Sequence, residues 1–153
     1  MKIAALLFFL QFTGIAFLQG QQSISISDNQ QKAITALIDD YSRARENKDT
    51  ALLKTILTFD VDQLVSTGEW RIGIKSAVEG MIKSSATSLG TRTLQVEKIQ
   101  MVSATSAIVD CRYHILDAEG IVRKMWSTFI VVADRENWKI RAIRNMLPTQ
   151  VKN

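Results

Sequence analysis

The sequence predicts an α+β domain in which three helices come first and a strongly curved, mainly antiparallel sheet follows. Apolar residues recur at helical spacing between residues 27 and 90, and the chain then changes to runs rich in β-branched and aromatic residues. The turns between these runs are short, and short connections join antiparallel neighbours. Helices packed on one face of such a sheet satisfy both patterns.

The first two helices are predicted from their apolar faces and their caps. Ser27 or Asp28 can cap the first helix, and Asp49 or Thr50 can start the second. Residues 47–49 break the helical pattern between them. The apolar face of the first helix comprises Ala33, Ile34, Leu37, Ile38, Tyr41 and Ala44, and that of the second comprises Ala51, Leu52, Ile56 and Leu57.

The third helix and the strands follow. Residues 74–89 carry Ala77, Val78, Met81 and Ile82 at helical spacing, and Gly90 is a suitable stop. Four long strands are predicted over residues 93–102, 107–116, 121–133 and 137–146. A short strand at residues 63–66 is expected to join this sheet.

The first twenty residues have the composition of a secretory signal peptide. Lys2 precedes a strongly apolar run without acidic residues, which Gln11, Thr13 and Gly14 interrupt. The uninterrupted run is shorter than the roughly 20 apolar residues that a membrane span needs. We therefore expect cleavage after Gly20, a mature single domain over residues 21–153, a secreted or periplasmic location and no stable membrane span after cleavage. A buried N-terminal helix or an uncleaved anchor is the alternative.

Composition excludes several classes of protein. The formal net charge is only +4, and the basic residues are scattered among acidic ones, whereas nucleic-acid binding needs a contiguous basic surface. With Cys111 as the single cysteine and His114 as the single histidine, one chain can form neither a disulfide nor a zinc site of the common Cys/His type. The glycine patterns of nucleotide-binding loops are missing as well. A calcium site made of carboxylates alone is left open, although no loop spaces acidic residues like an EF-hand. The prediction is therefore no metal, no cofactor and no nucleic-acid partner.

The order of these elements carries a family resemblance. Two helices are followed by DVDQLV and TGEW at residues 60–65 and 67–70, then by a helix and by strands containing WSTFIVV, NWKI and IRNM. This arrangement resembles the SnoaL-like branch of the nuclear transport factor 2-like (NTF2-like) superfamily over residues 29–148. One departure is that many relatives carry a histidine in the third helix, where this chain reads AVEGMIK.

The resemblance implies a cone-shaped NTF2-like/cystatin-like fold whose mouth opens onto an apolar pocket. Some relatives are ketosteroid isomerases, polyketide cyclases or dehydratases, and others bind ligands or dimerise without catalysis, so the scaffold alone fixes no function. The prediction favoured here is an exported module that binds a small, mainly apolar molecule. Its expected ligand-binding residues are Tyr41, Trp70, Tyr113, Phe129 and Asn145.

The alternative is a small acid–base enzyme resembling those isomerases or cyclases. Asp60 and Asp62 share one face if their segment is extended, and a pocket carboxylate could act as a general base with Tyr41 stabilising an enolate. Asp60, Asp62 and Tyr41 are thus candidate catalytic residues. The plainer interpretation is that Asp60 caps or ends the second helix, Asp62 is solvated, and Tyr41 and Trp70 are core residues. A dimer with a vestigial pocket is a third possibility.

The strands also predict a partner. In residues 107–116, Val109, Cys111 and Tyr113 suit the inner face, which leaves Asp110, Arg112 and His114 on the outer face or, alternatively, in a polar network directed inward. Residues 125–132 are apolar on both faces. Because the helices cover only one face, we expect a homodimer formed through the outer face of the sheet.

Overall fold

The computed structural model describes residues 24–87 and 90–148, and its elements confirm the predicted α+β class. The signal peptide predicted for residues 1–20 lies outside the described residues. The helices are α1 (Asp28–Glu46), α2 (Thr50–Ile56) and α3 (Gly73–Thr87). The strands are β1 (Leu57–Leu64), β2 (Trp70–Ile72), β3 (Thr91–Ser103), β4 (Ser106–Leu116), β5 (Val122–Asp134) and β6 (Asn137–Met146). None of the described helices has the length and apolarity needed to cross a membrane.

Both predicted caps form. The Ser27 side chain accepts from the Gln30 backbone N–H, and the Gln30 side chain accepts from the Ser27 backbone, which makes a capping box at the start of α1. Asp49 Oδ1 accepts from the Leu52 backbone N–H at 2.9 Å and so begins α2. These contacts satisfy backbone donors that the first helical turn leaves without partners.

Within the described residues, six strands form one sheet in the order β2-β1-β6-β5-β4-β3. Neighbours pair antiparallel except β1 and β6, which are parallel. The ladders shift register between Val96 and Lys98 of β3 and at Ile130 and Val131 of β5. Such bulges bend strands and increase their twist, which curves the sheet around α1.

The beginning of the sheet differs from the prediction. Leu57 opens strand β1, although it was assigned to the second helix, and β1 extends six residues further towards the N-terminus than the predicted strand at residues 63–66. Trp70 belongs to a second short strand, β2. β1 pairs in parallel with β6, which is distant in sequence, and the register shifts between Leu57 and Asp62. The buried residues of β1 therefore do not alternate regularly, and regular alternation is the pattern from which a strand is predicted locally.

The core lies between the helices and the inner face of the sheet. Tyr41 of α1 and Phe129 of β5 meet edge to face, with ring centroids 5.2 Å apart. Around this pair, fully buried residues come from every helix and from most of the strands: Ile34, Ile38, Leu53, Ala77, Met81, Val61, Val109, Cys111, Val131, Ile140 and Ile143. The core therefore occupies the space between α1 and the sheet.

Candidate functional site

A cleft of about 330 Å³ opens beside this core, between the C-terminal parts of α1 and α3 and the inner face of the sheet. Arg45 of α1 and Lys83 of α3 contribute to one side. Tyr113 of β4 and Asn145 of β6 contribute to the sheet side, and the turn between β1 and β2 contributes residues at the edge. Elements distant in sequence therefore converge on one opening.

Arg45 is a buried cation in the wall of this cleft. Arg45 is only 5% exposed to solvent. Its Nη1 donates to the Tyr41 hydroxyl at 2.9 Å, and its Nε donates to Ser85 Oγ at 3.2 Å. Both acceptors are uncharged hydroxyl oxygens, so hydrogen bonding partly compensates the loss of water. Within the described part of the chain, the guanidinium has no acidic partner.

Arg71 is a second buried cation, 9% exposed, on the short strand β2. Its Nε donates to Glu69 Oε1 at 2.9 Å and its Nη1 donates to Gln63 Oε1 at 3.3 Å. Hydrogen bonding to Arg71 and its positive charge lower the pKa of Glu69. The Glu69 side chain is 58% exposed, so water screens much of this ion pair.

Gly80 of α3 leaves room for Arg71. A Cβ at position 80 would overlap the Nε, Cδ and Cζ atoms of the Arg71 side chain. The absence of a side chain at Gly80 lets the Arg71 side chain lie against α3. A glycine within a helix otherwise costs stability. Gly80 is therefore a positioning residue for the cleft.

The charge of the cleft is strongly unbalanced. Its lining contains four cationic residues, Arg45, Arg71, Lys83 and Arg123, and one acidic residue, Glu69. Arg123 Nη2 donates to Ser66 Oγ at 2.9 Å, and Ser127 Oγ donates to Asn145 Oδ1 at 2.8 Å, so hydroxyl and amide groups stand among the cations. The lining is therefore positive and mixed in polarity, since Val65, Tyr113, Ile115 and Met125 also contribute, unlike the mainly apolar pocket expected from the sequence.

The five predicted ligand-binding residues are divided among three places. Tyr113 and Asn145 line the cleft. Tyr41 and Phe129 lie in the core, with the Tyr41 hydroxyl directed to Arg45. Trp70 lies on the outer face, 52% exposed, with the Arg144 guanidinium 4.8 Å from its ring centroid. The structure therefore brings the first pair to the cleft and separates the other three from it.

The candidate catalytic carboxylates also lie on the outer face, and Asp60 belongs to β1 instead of ending the second helix. Val61 between them is buried, as expected for an extended segment. Arg141 contacts both carboxylates, with Nη2 at 3.3 Å from Asp60 Oδ2 and Nη1 at 3.7 Å from Asp62 Oδ2. Arg144 forms a further ion pair with Asp62. These contacts join β1 to β6.

This placement separates the three residues of the acid–base hypothesis. Tyr41 lies on the inner side of the sheet and the two carboxylates lie on the outer side, so one ligand cannot contact all three. Asp110 and Arg112 also face outward, bonded to Thr128 and Glu97 respectively. The alternative of an inward polar network on β4 is therefore wrong.

Other reactive groups are few in the described part of the chain. Burial raises the pKa of the Cys111 thiol to about 12, which keeps it protonated and unreactive. Among residues 24–87 and 90–148, no three His, Cys, Asp or Glu side chains cluster closely enough to hold a metal ion.

Sequence reasoning missed the charged residues of the cleft. Arg45 stands four residues after Tyr41, on the same helical face, and this spacing was a usable signal. Arg71 gave the opposite signal, because it is buried between Trp70 and Ile72, which are both exposed. An arginine directed inward between two apolar residues directed outward inverts the usual pattern of a strand.

Comparison with known proteins shows the fold. No protein-family model matches the sequence, and no curated protein matches it. An NTF2-like protein of unknown function from Shewanella oneidensis has a TM-score of 0.65 at 18% identity, covering 76% of this chain and 98% of the other. A domain of unknown function with a cystatin-like fold from Nostoc punctiforme has a TM-score of 0.73 at 14% identity, covering 82% of both chains.

A candidate scytalone dehydratase from Novosphingobium aromaticivorans is similar as well, with a TM-score of 0.68 at 15% identity over 79% of this chain and 85% of the other. Identities this low are evidence for the fold and not for an activity. The chain therefore has the cone-shaped NTF2-like/cystatin-like fold that the sequence predicts.

Proposed function

We propose that this chain is an exported binding module that holds a small polar molecule in the cleft. The observation that carries the proposal is the convergence of polar side chains from α1, α3 and several strands on one opening of about 330 Å³. Concave sites with a few convergent polar groups are the usual form of small-molecule sites. Export is proposed from the signal-peptide pattern of residues 1–20.

The core is closely packed, so we place the ligand in the cleft and not among the core side chains. Tyr41 and Phe129 fill the interior next to Arg45, and Ile143 beside them is fully buried. An apolar ligand placed among these residues would have to displace close-packed side chains, which costs stability. A polar molecule in the cleft displaces water instead, so this site revises the expected ligand from apolar to polar.

Two similar grooves are weaker candidates. One of about 560 Å³ lies between α1, α2 and the hairpin of β5 and β6, and its charged residues Asp40, Glu136 and Lys139 are partly or fully exposed. Another of about 440 Å³ lies beside Arg43 and Arg92. Among the described residues, the lining of the first groove contains no arginine, and in the second Arg43 is exposed. Neither groove therefore contains a pair of buried arginines.

Filling the cleft tests the proposal. Ser84 lines it, so Ser84→Phe should place a ring in the opening and abolish binding. Ser76, exposed two turns earlier on α3, supplies the matched control Ser76→Phe. We would measure small molecules retained by the purified protein with native mass spectrometry and then screen a panel of polar metabolites by thermal shift.

We expect the parent and Ser76→Phe to bind the same compounds and Ser84→Phe to bind none of them while remaining folded by circular dichroism. Equal binding by a folded Ser84→Phe variant would place the ligand elsewhere. A parent protein that binds nothing in either assay would also reject the proposed function.

A further inference from the structure

The burial of Arg45 without an acidic partner is unusual for a charged side chain. Within residues 24–87 and 90–148, no carboxylate forms an ion pair with its guanidinium, although six other arginine or lysine residues do pair with acids. Arginine remains charged at every physiological pH. Removing such a charge from water costs free energy that hydroxyl groups offset only in part.

The neighbouring tyrosine does not neutralise this charge. Burial raises the pKa of the Tyr41 hydroxyl, and the positive charges of Arg45 and Arg71 both act against that rise. Tyr41 therefore stays a neutral phenol at physiological pH. Arg45 and Arg71 both line the cleft, and like charges in one cleft repel each other.

Arg45 also retains donors for a ligand. Its two hydrogen bonds use Nε and Nη1, and among the described residues its Nη2 makes none. A guanidinium has five N–H donors in a plane, and two parallel donors match the two oxygens of a carboxylate or of a phosphate. Lys83 and Arg123 add positive charge nearer the opening.

We propose that the cleft recognises the anionic group of a small organic acid, a carboxylate or a phosphate monoester, through Arg45 with Arg71 beside it. This inference rests on the proposed binding function and names the chemical class of its ligand. The anion supplies the negative charge that none of the described residues places next to Arg45. The remaining part of the ligand lies against Tyr113 and Met125, which line the sheet side of the cleft.

Matched acids and amides separate charge recognition from binding in general. We would titrate the parent protein by isothermal calorimetry with benzoate against benzamide, with succinate against succinamide, and with phenyl phosphate, each at the same pH and ionic strength. The two anionic arms distinguish a carboxylate ligand from a phosphate ligand. This comparison needs no variant and so does not depend on the folding of one.

The expected result is binding of at least one acid, with its neutral counterpart at least about tenfold weaker, because charge-assisted hydrogen bonds are about twice as strong as neutral ones. An amide that binds as tightly as its acid would overturn the anion inference while leaving the proposed function intact. If none of the acids binds, the anion inference is overturned as well. A neutral ligand that the parent retains and Ser84→Phe does not would still support binding in the cleft.

Variants that remove one positive charge test which arginine binds the anion. Arg45→Met keeps an unbranched side chain of somewhat shorter reach and removes the guanidinium with its charge, and Arg71→Gln keeps a shorter polar side chain without the charge. Arg43→Met is the control, because Arg43 is an exposed arginine on the same helix that pairs with Asp40. We expect at least about tenfold weaker binding of the acid by Arg45→Met, a smaller loss in Arg71→Gln and none in Arg43→Met.

The amide is the second readout. Since it lacks the charge, its weak binding should change little in Arg45→Met if the variant keeps the shape of the cleft. Undiminished acid binding in folded Arg45→Met would show that Arg45 has a structural role only and would overturn the assignment.

Discussion

At the scale of single residues, the Cys111 thiol illustrates how burial removes chemistry. Cys111 lies in the core on β4, and burial raises its pKa to about 12. In the unfolded chain the thiol ionises at about pH 8.5. A folded pKa above the unfolded value stabilises the fold below about pH 8.5, and that contribution is lost as the pH rises towards about 12.

We predict that the free energy of unfolding falls faster with pH in the parent than in Cys111→Ala. The difference in slope should reach up to about 1.4 kcal/mol per pH unit between about pH 9 and pH 11. Urea denaturation of both proteins at several pH values measures it. Only the slopes matter, since the variant also loses packing energy at every pH. Parallel slopes would mean that solvent reaches the thiol in the folded protein.

The candidate site shows which residues a sequence can and cannot assign. Tyr113 and Asn145 were expected at a pocket and line the cleft. Arg45 could have been found, because it continues the buried face of α1 through Ile38 and Tyr41. The orientation of Arg71 could not, since it depends on how β2 pairs with β1, where Gln63 lies opposite it. Cross-strand pairing is a long-range property that local patterns do not contain.

At the scale of elements, Gly90 connects α3 with β3 in a conformation that suits only glycine. Its φ is +146°, and a Cβ there would overlap the backbone carbonyl oxygen of Leu116. Gly68 in the turn between β1 and β2 also has a positive φ, of +90°, but no heavy atom of the described residues, other than those of Gly68 and its two chain neighbours, lies within 4 Å of the position of its Cβ. A side chain at position 68 would therefore cause backbone strain alone, whereas a side chain at position 90 would also cause steric overlap.

We predict that Gly68→Ala costs roughly 1–2 kcal/mol of stability, as a left-handed conformation does for an ordinary residue. Gly90→Ala should cost clearly more, because the overlapping atom belongs to the backbone and cannot move aside. Chemical denaturation of the two variants compares them directly. Equal costs would show that the start of β3 can shift to accommodate a side chain.

Helices were predicted more accurately than the start of the sheet. The caps at Ser27 and Asp49 and the break between α1 and α2 agree with the sequence pattern, because capping is decided by a few adjacent residues. The long antiparallel strands agree as well, since each follows its neighbour across a short turn. β1 differs because its parallel partner β6 is about 80 residues away and the pairing is irregular.

At the scale of the whole molecule, the outer face of the sheet carries exposed aromatic residues. Trp70 is 52% exposed, and Trp126 is 37% exposed with the Arg112 guanidinium 5.4 Å from its ring centroid. Ile72 and Met146 are exposed nearby. We propose that a second copy of this chain covers this face, since exposed tryptophans beside arginines are enriched in protein interfaces, although ion pairs of β1, β4 and β6 share the face.

Light scattering on the mature chain at micromolar concentration should give twice the monomer mass. Trp126→Glu, which places a charge in the proposed interface, should give the monomer mass. Ala36→Glu adds the same charge to an exposed position on α1 and should leave the dimer intact. A parent protein that is monomeric under these conditions would reject the homodimer.

Export makes a separate prediction at this scale. If residues 1–20 are a signal peptide, the protein recovered from outside the cytoplasm begins near Gln21. Sequencing of its N-terminus decides the matter, and a protein that retains Met1 and stays in the cytoplasm would contradict export.

The central claim is that the cationic cleft, and not the apolar interior, holds the ligand. A crystal structure of the mature chain grown with the acid that binds most tightly in solution tests it most directly. We predict density for the acid in the cleft, with its anionic oxygens within hydrogen-bonding distance of Arg45 Nη2 and with Tyr41 and Phe129 still in edge-to-face contact. Density for the acid among the core side chains, on the outer face of the sheet, or in the cleft with its anionic group directed away from Arg45 would contradict the claim.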